Sequence, residues 1–282
     1  MKVISFEHQG RASYGVVGAD GVIDAGAALK ERYPTLRALL EGDALGELAA
    51  VAEGASALAA LDEVSFLPVI PDPGKIILVG LNYESHRLET GRPESPYPSL
   101  FSRTAETLVG HGQPMVKPRV SDQLDFEGEF AIIIGRGGRD ISEADALERI
   151  AGYSCLNDGS VRDWQRHTSQ WLPGKNFVGT GGFGPWMVTS DELTDPAACT
   201  LITRLNGEEV QRGATDDFIY TIPFLMNYIS TFTTLQPGDV ISTGTPGGVG
   251  NAREPKLFMK AGDVIEVEIS GIGTLTNPIV EG

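Results

Sequence analysis

The sequence predicts an α+β protein dominated by strands, with a small α/β unit ahead of a larger mixed β domain. Three observations carry this. Apolar runs of four to nine residues, bounded by turn formers, recur from Lys75 to the C-terminus. They do not alternate regularly with helical periodicity, which argues against a doubly wound parallel sheet. The chain also holds 35 glycines and 17 prolines in 282 residues, a composition that suggests many turns and close backbone approaches rather than long helices.

Taken in order, Val3–Phe6 and Ala12–Val17 alternate well enough for two short strands. Residues 27–40 and 45–61 carry helical spacing, with Pro34 as a break or a helix start. The segment Leu67-Pro-Val-Ile-Pro-Asp-Pro-Gly74 can continue neither a helix nor a central strand. It marks a boundary between a unit of residues 1–70 and a larger domain of residues 71–282. Within the larger domain, strands are expected at 75–80, 126–134, 151–156, 185–188, 200–205, 239–243, 264–269 and 273–279. Helices are expected at 143–150, 161–169 and 222–232.

Charge narrows the function. The 22 basic and 38 acidic residues give a net charge of −16, which argues against nucleic acid or an anionic membrane surface as the main partner. The first ten residues lack an apolar signal core, and no run approaches the ~20 apolar residues of a membrane span. Cys155 and Cys199 are the only cysteines. Two thiols cannot staple a chain this long, so a reducing cytoplasm is the expected compartment. No G-x-S-x-G elbow supports a serine hydrolase, and no G-K-[ST] follows the glycine-rich turn near residue 245 to make a phosphate loop.

Glu127-Gly-Glu129 opens the apolar run Phe130–Ile134. On a strand, residues two apart point to the same face, so both carboxylates project together, with glycine leaving room between them. Two like charges entering a core need compensation. A divalent cation supplies it, and oxygen ligands favour Mg²⁺, Mn²⁺ or Ca²⁺ over Zn²⁺. Asp158, after the strand ending at Leu156, offers a third carboxylate. The same residues could equally line a solvated face, with Asp158 capping a helix.

Four segments together resemble the fumarylacetoacetate hydrolase family, over residues 75–282. They are Gly80-Leu-Asn-Tyr-Glu-Ser-His86-Arg-Leu-Glu89; Asp125-Phe-Glu127-Gly-Glu129 running into Gly135; Asn157-Asp158-Gly-Ser-Val-Arg162-Asp-Trp-Gln165 with Gly174-Lys175-Asn-Phe; and Thr243-Gly-Thr245-Pro-Gly-Gly-Val-Gly250. The chain departs from the family pattern at Val178-Gly179, where an acidic residue is common, and at Phe101-Ser-Arg103, where many members carry lysine. The resemblance implies a mixed β-sandwich roll as the catalytic domain, with a small N-terminal domain, assembled as a dimer. It implies Mg²⁺ or Mn²⁺, with Ca²⁺ as a substitute, held by Glu127, Glu129 and Asp158. It also implies a 2-oxo acid substrate: an acylpyruvate, such as fumarylpyruvate or a related aromatic ring-cleavage product, hydrolysed at a carbon–carbon bond, or an oxaloacetate-like acid decarboxylated, or an unsaturated 2-oxo acid isomerised. A non-catalytic binding protein on the same fold is the remaining alternative.

Carbon–carbon hydrolysis requires an activated water and a stabilised enolate. His86 and Glu89 are three apart, so on a helical turn they share a face, and Glu89 can orient His86 as a general base. They could equally form a solvent-facing helix pair. Residues 90–98, rich in turn formers, suit a mobile lid. Lys175 beside Gly174 could pair with a substrate carboxylate, as could the reserves Arg162 and Arg103. Arg162 could instead pair structurally with Asp163 or Glu129. Gln165 and Thr245 are candidate substrate contacts. Three carboxylates around a divalent ion give 2 − 3 = −1, which calls for a cation such as Lys175 nearby. His111 reads as a turn residue and Cys155 as a buried core thiol.

Overall fold

The N-terminal unit forms around an antiparallel meander, and the computed structural model describes it and the rest of residues 1–282. Strand β1 (Lys2–His8) pairs with β2 (Arg11–Gly18), which turns at Gly21 into β3 (Gly21–Asp24). Helical periodicity at 27–40 resolves into two short helices, α1 (Gly26–Leu29) and α2 (Leu36–Glu41). The break falls at Pro34, and Thr35 caps α2 by accepting from the Ala38 N–H at 3.2 Å. Helix α3 (Leu45–Ala52) stops well before residue 61. Gly54 takes a φ of +71°, and residues 58–59 are captured by strand β3, with Val22 donating to the Ala59 carbonyl at 2.9 Å. The unit closes with β4 (Ser65–Phe66) against β1.

The remaining strands complete a large sheet, a five-stranded one and a third of two strands. In chain order they are β5 (Ile76–Gly80), β6 (Ser99–Arg103), β7 (Leu108–Val109), β8 (Met115–Lys117), β9 (Leu124–Asp125), β10 (Gly128–Ile134), β11 (Ile150–Asn157), β12 (Ser160–Val161), β13 (Gly181–Thr189), β14 (Thr200–Leu205), β15 (Glu208–Ala214), β16 (Val240–Ser242), β17 (Val264–Ile269) and β18 (Gly273–Glu281). The large sheet runs β3-β2-β1-β13-β11-β10-β16-β5-β6, the five-stranded one runs β15-β14-β17-β18-β8, and β9 and β12 pair with each other in the third. β5 and β16 are parallel, whereas β10 and β11 are antiparallel. The N-terminal unit is stitched into the large sheet, because β1 pairs with β13 at Lys2–Val188 and Val3–Met187.

Strand β10 explains its own apolar run. Every residue in it is buried. Phe130, Ile132 and Ile134 enter one core cluster, while Ala131 and Ile133 enter another on the opposite face. A strand buried on both faces has no polar alternation to show. Helix α7 (Ile222–Phe232) matches its expected bounds and buries Leu225, Met226 and Ile229. Each such side chain contributes roughly 1.5–3 kcal/mol on burial.

Other expectations shift. The strand expected from 126 begins at Gly128. The helix expected at 143–150 is two 3₁₀ turns, after which Ile150 already belongs to β11. The helix expected at 161–169 is the single turn α5 (Arg162–Gln165), followed by a second turn, α6 (Leu172–Lys175). Strand β15 lies at a sheet edge with a largely polar sequence, so it offers little periodicity to read. No helix is long and apolar enough to cross a membrane.

Candidate active site

The antiparallel register of β10 and β11 builds the acidic centre. Gly128 pairs with Asn157 and Glu129 with Leu156. Glu127 thus stands just before one strand and Asp158 just after its neighbour, joined by the Asp158 N–H donating to the Glu127 carbonyl at 2.8 Å. One carboxylate oxygen from each of Glu127, Glu129 and Asp158 lies within 4.8 Å of the others, and all three residues are buried. The glycine between the glutamates is sterically required. A Cβ at Gly128 would lie 2.2 Å from the Thr203 hydroxyl oxygen on β14.

Cations hold this charge in place. Glu127 accepts from Arg162 Nη2 at 2.6 Å through Oε1 and from Lys175 Nζ at 2.5 Å through Oε2. Asp158 accepts from Arg103 Nη1 at 2.5 Å and from Lys175 Nζ. Burial alone would raise the Glu127 pKa, but Arg162 and Lys175 outweigh it and hold the carboxyl well below its usual range. Glu129 behaves oppositely. Burial, then the charges of Asp158 and Glu127, push its pKa well up, and the Ser242 hydroxyl only partly offsets this. Its Oε2 accepts from Ser242 Oγ at 2.5 Å and from the Gly244 N–H at 3.1 Å, while Oε1 has no protein partner. A destabilised carboxylate with one uncommitted oxygen, beside two others, fits a hard divalent cation.

Asp125 organises the centre, although the sequence reading gave it no role of its own. It is fully buried. It accepts from the N–H groups of Phe126, Gly250 and Asn251 at 2.8–2.9 Å and from Arg162 Nε at 2.7 Å. The signal was present as a third alternating acid, two residues before Glu127. Asp125 thereby fixes both Arg162 and the glycine-rich turn.

That turn holds the second half of the site. On α4 (Glu84–Glu89), His86 Nδ1 meets Glu89 Oε1 at 2.7 Å, and Glu89 Oε2 accepts from the Gly248 N–H at 2.8 Å. With Nδ1 committed to a carboxylate, Nε2 is the ring nitrogen without a protein partner. Gly244, whose φ is +102°, reaches Glu129 in a conformation other residues rarely adopt. Thr245 donates to the Gly128 carbonyl and accepts from Gln211 Nε2, both at 2.8 Å.

One cavity of about 340 Å³ joins these parts, lined by His86, Glu89, Glu127, Glu129, Arg162, Gln165, Lys175 and Thr245 among others. Arg103 is not part of the lining. Its side chain is fully buried behind Asp158, where Thr107, Gly159 and Thr180 take its other hydrogen bonds. Arg162 spends its guanidinium on Asp125, Glu127 and Gln165. Its pairing is structural, though with different acids from the expected Asp163 or Glu129. The −1 obtained from the three ligands alone is incomplete. Arg103 and Arg162 add two positive charges and Asp125 one negative, so a divalent ion in this cluster gives 2 − 4 + 2 = 0 before Lys175 is counted.

A mixed β-rich fold carrying a buried Glu-Glu-Asp centre across one cavity from a His–Glu pair describes an enzyme family already known. The model for the fumarylacetoacetate (FAA) hydrolase C-terminal domain matches residues 75–280, and the chain belongs to that family. Among the relatives, the mitochondrial oxaloacetate tautomerase fahd2 of Xenopus laevis is 41% identical over 219 residues, 77% of this chain and 69% of that protein. Fumarylacetoacetate hydrolase of Exiguobacterium antarcticum superposes with a TM-score of 0.85 at 37% identity, over all of both chains. Maleylpyruvate hydrolase of Sphingobium sp. SYK-6, solved with manganese(II) and pyruvate, gives 0.83 at 29% identity, again over all of both chains. The strand-rich α+β architecture expected from the sequence is shared with these structures.

Proposed function

We propose that this chain is a divalent-metal-dependent hydrolase that cleaves a carbon–carbon bond of an acylpyruvate. The observation that carries the reading is the His86–Glu89 pair opening onto the same cavity as Glu127 and Glu129, whose carboxylates cluster with that of Asp158. Glu127, Glu129 and Asp158 would hold Mg²⁺ or Mn²⁺. When bound, the ion supplies Lewis acidity to the 2-oxo acid end of the substrate. His86 Nε2 takes a proton from water, and Glu89 orients the ring and offsets the charge it acquires. The Gly248 N–H keeps Glu89 in place. Lys175 Nζ, which lies against Glu127 and Asp158 and 4.9 Å from the Phe101 ring centroid, donates to the oxygen on which negative charge develops. A homodimer, to be checked by light scattering, is part of the same proposal.

A second reading is supported by the 41% identity to an oxaloacetate tautomerase. Tautomerisation moves one proton between carbon and oxygen and needs no attacking water, and the same pair could move it. The two readings separate on product analysis. Incubation with Mn²⁺ and a panel of 2,4-dioxo acids is expected to release pyruvate and a second acid. Enol–keto conversion of oxaloacetate without bond cleavage of any dioxo acid would replace the first reading with the second.

A further inference from the structure

The glycine-rich turn reaches both halves of the site. Its Gly244 N–H donates to Glu129 at 3.1 Å, and its Gly248 N–H donates to Glu89 at 2.8 Å. The spacing between the acidic centre and the His86–Glu89 pair therefore depends on how the turn is seated. Asp125 holds its far end at Gly250 and Asn251. Its middle is held by Gln211, a residue of β15 outside every segment that carries the family resemblance. Gln211 is 2% exposed and does not line the cavity. Its Oε1 accepts from the Gly128 N–H at 3.0 Å, while its Nε2 donates to Thr245 Oγ1 at 2.8 Å and to the Pro246 carbonyl at 2.9 Å. Thr245 Oγ1 in turn donates to the Gly128 carbonyl at 2.8 Å. These bonds close a ring between the turn and the N–H and carbonyl of the residue that separates Glu127 from Glu129. The rest of β15 fits the turn as closely. A Cβ at Gly213 would lie 2.6 Å from Pro246 Cβ, and the Arg253 guanidinium bridges the carbonyls of Val210 and Gly248.

We infer that Gln211 is a positioning residue, which sets the distance and orientation between the metal centre and the His86–Glu89 pair by locking the glycine-rich turn onto Gly128. The inference rests on the proposed function, in which the three acids hold the ion and the pair acts on water. A carboxamide suits the position because it offers a neutral acceptor on one side and two donors on the other. It thus satisfies one N–H and two oxygens without adding charge beside the buried Asp125, Glu127, Glu129 and Asp158. Gln211→Met would take these partners from Gly128 and Pro246. Gln211→Glu would keep the acceptor and turn a second oxygen toward the Pro246 carbonyl. Because Gln211 stands outside the cavity, its effect on turnover passes through the turn. Misplacing a reacting group by about 1 Å costs on the order of 10²-fold in rate.

The test combines kinetics with Mn²⁺ binding followed by electron paramagnetic resonance. The substrate is the dioxo acid of the panel that the parent cleaves fastest, 2,4-dioxopentanoate being the simplest member. Gln211→Met is expected to lower kcat by roughly tenfold to a hundredfold, with KM and the Mn²⁺ dissociation constant within about threefold of the parent. Val210→Ala, on the same strand but in the core, should lower the melting temperature and leave kcat as it is. In a His86→Ala background, Gln211→Met should cost less than about twofold further in kcat, because the pair it positions no longer acts. If Gln211→Met does not fold, Gln211→Glu takes its place and should show a kcat loss with the same dependence on His86. Equal kcat losses with and without His86 overturn the positioning role alone. So does a kcat no lower than that of Val210→Ala, or a loss confined to Mn²⁺ affinity. A parent that binds no Mn²⁺ or cleaves no dioxo acid, or a His86→Ala variant as active as the parent, overturns the proposed function and the role of Gln211 with it.

Discussion

At the residue scale, Glu129 separates a metal site from a structural ion cluster. Glu127 and Asp158 are neutralised by Lys175, Arg162 and Arg103, whereas Glu129 has only neutral donors from the protein. Glu129→Gln should therefore keep the fold and lose metal-dependent turnover. Mn²⁺ at a hundred times its dissociation constant should stabilise the parent by ~2.7 kcal/mol and leave the variant's melting temperature unmoved. Full activity of the variant in chelator would exclude the metal role. The His86–Glu89 pair makes a second prediction. His86→Ala and Glu89→Ala should each lower kcat for hydrolysis by roughly 10²–10⁴, and the double variant should lose little more, because one carboxylate serves one imidazole. Additive losses would indicate separate roles. Much of this was legible in the sequence, since acids at alternate strand positions and a His–Glu pair three apart have local geometric meaning. The roles of Asp125 and Arg103 were not. An arginine's partners are set by tertiary contacts, and nothing local distinguishes the buried Arg103 from the exposed Arg166.

At the scale of elements, periodicity located those whose burial is one-sided and missed those that neighbours define. Helix α7 is amphipathic and matched its expected bounds. Strands β6, β8 and β15 are short or polar, and pairing rather than composition makes them strands. The helix expected to reach residue 61 lost its last turns to pairing with β3. His111 links two elements in the same non-local way. Its ring packs edge-on to Phe66 of β4 at 5.0 Å between centroids, and its Nδ1 accepts from the Thr276 N–H of β18 at 3.1 Å. Burial lowers its pKa from the ordinary 6.5. Protonation is thus easier in the unfolded chain, so the stability this histidine lends is present above about pH 6.5 and is lost as pH falls through its folded value. Urea midpoints measured from pH 7.5 to 5 should fall more steeply for the parent than for His111→Leu. Parallel profiles would remove His111 as a source of acid sensitivity.

At the scale of the molecule, we propose the division at residue 70 as one of sequence organisation, with the two parts folding on a shared sheet. The edge of β13 that pairs with β1 carries Met187 and Val188, both fully buried. Removing residues 1–70 should expose that edge and produce aggregation. A soluble, monodisperse fragment of residues 71–282 with native Mn²⁺ affinity would contradict this.

The grip of Asp125 on Gly250 joins residues 125 positions apart in the chain, and this has a consequence in time. Loop closure over such a distance is slow relative to hairpin formation, and Arg162, Gly250 and Asn251 converge on that one carboxylate. During synthesis, a ribosome that has made β10, β11 and the residue after them has made Glu127, Glu129 and Asp158 but not the turn that completes their surroundings. Competence to bind the ion should therefore arrive late. In refolding experiments, Mn²⁺ capture followed by electron paramagnetic resonance should trail the far-ultraviolet circular dichroism signal, and simultaneous recovery of both would show that the acidic centre assembles without its distant anchor.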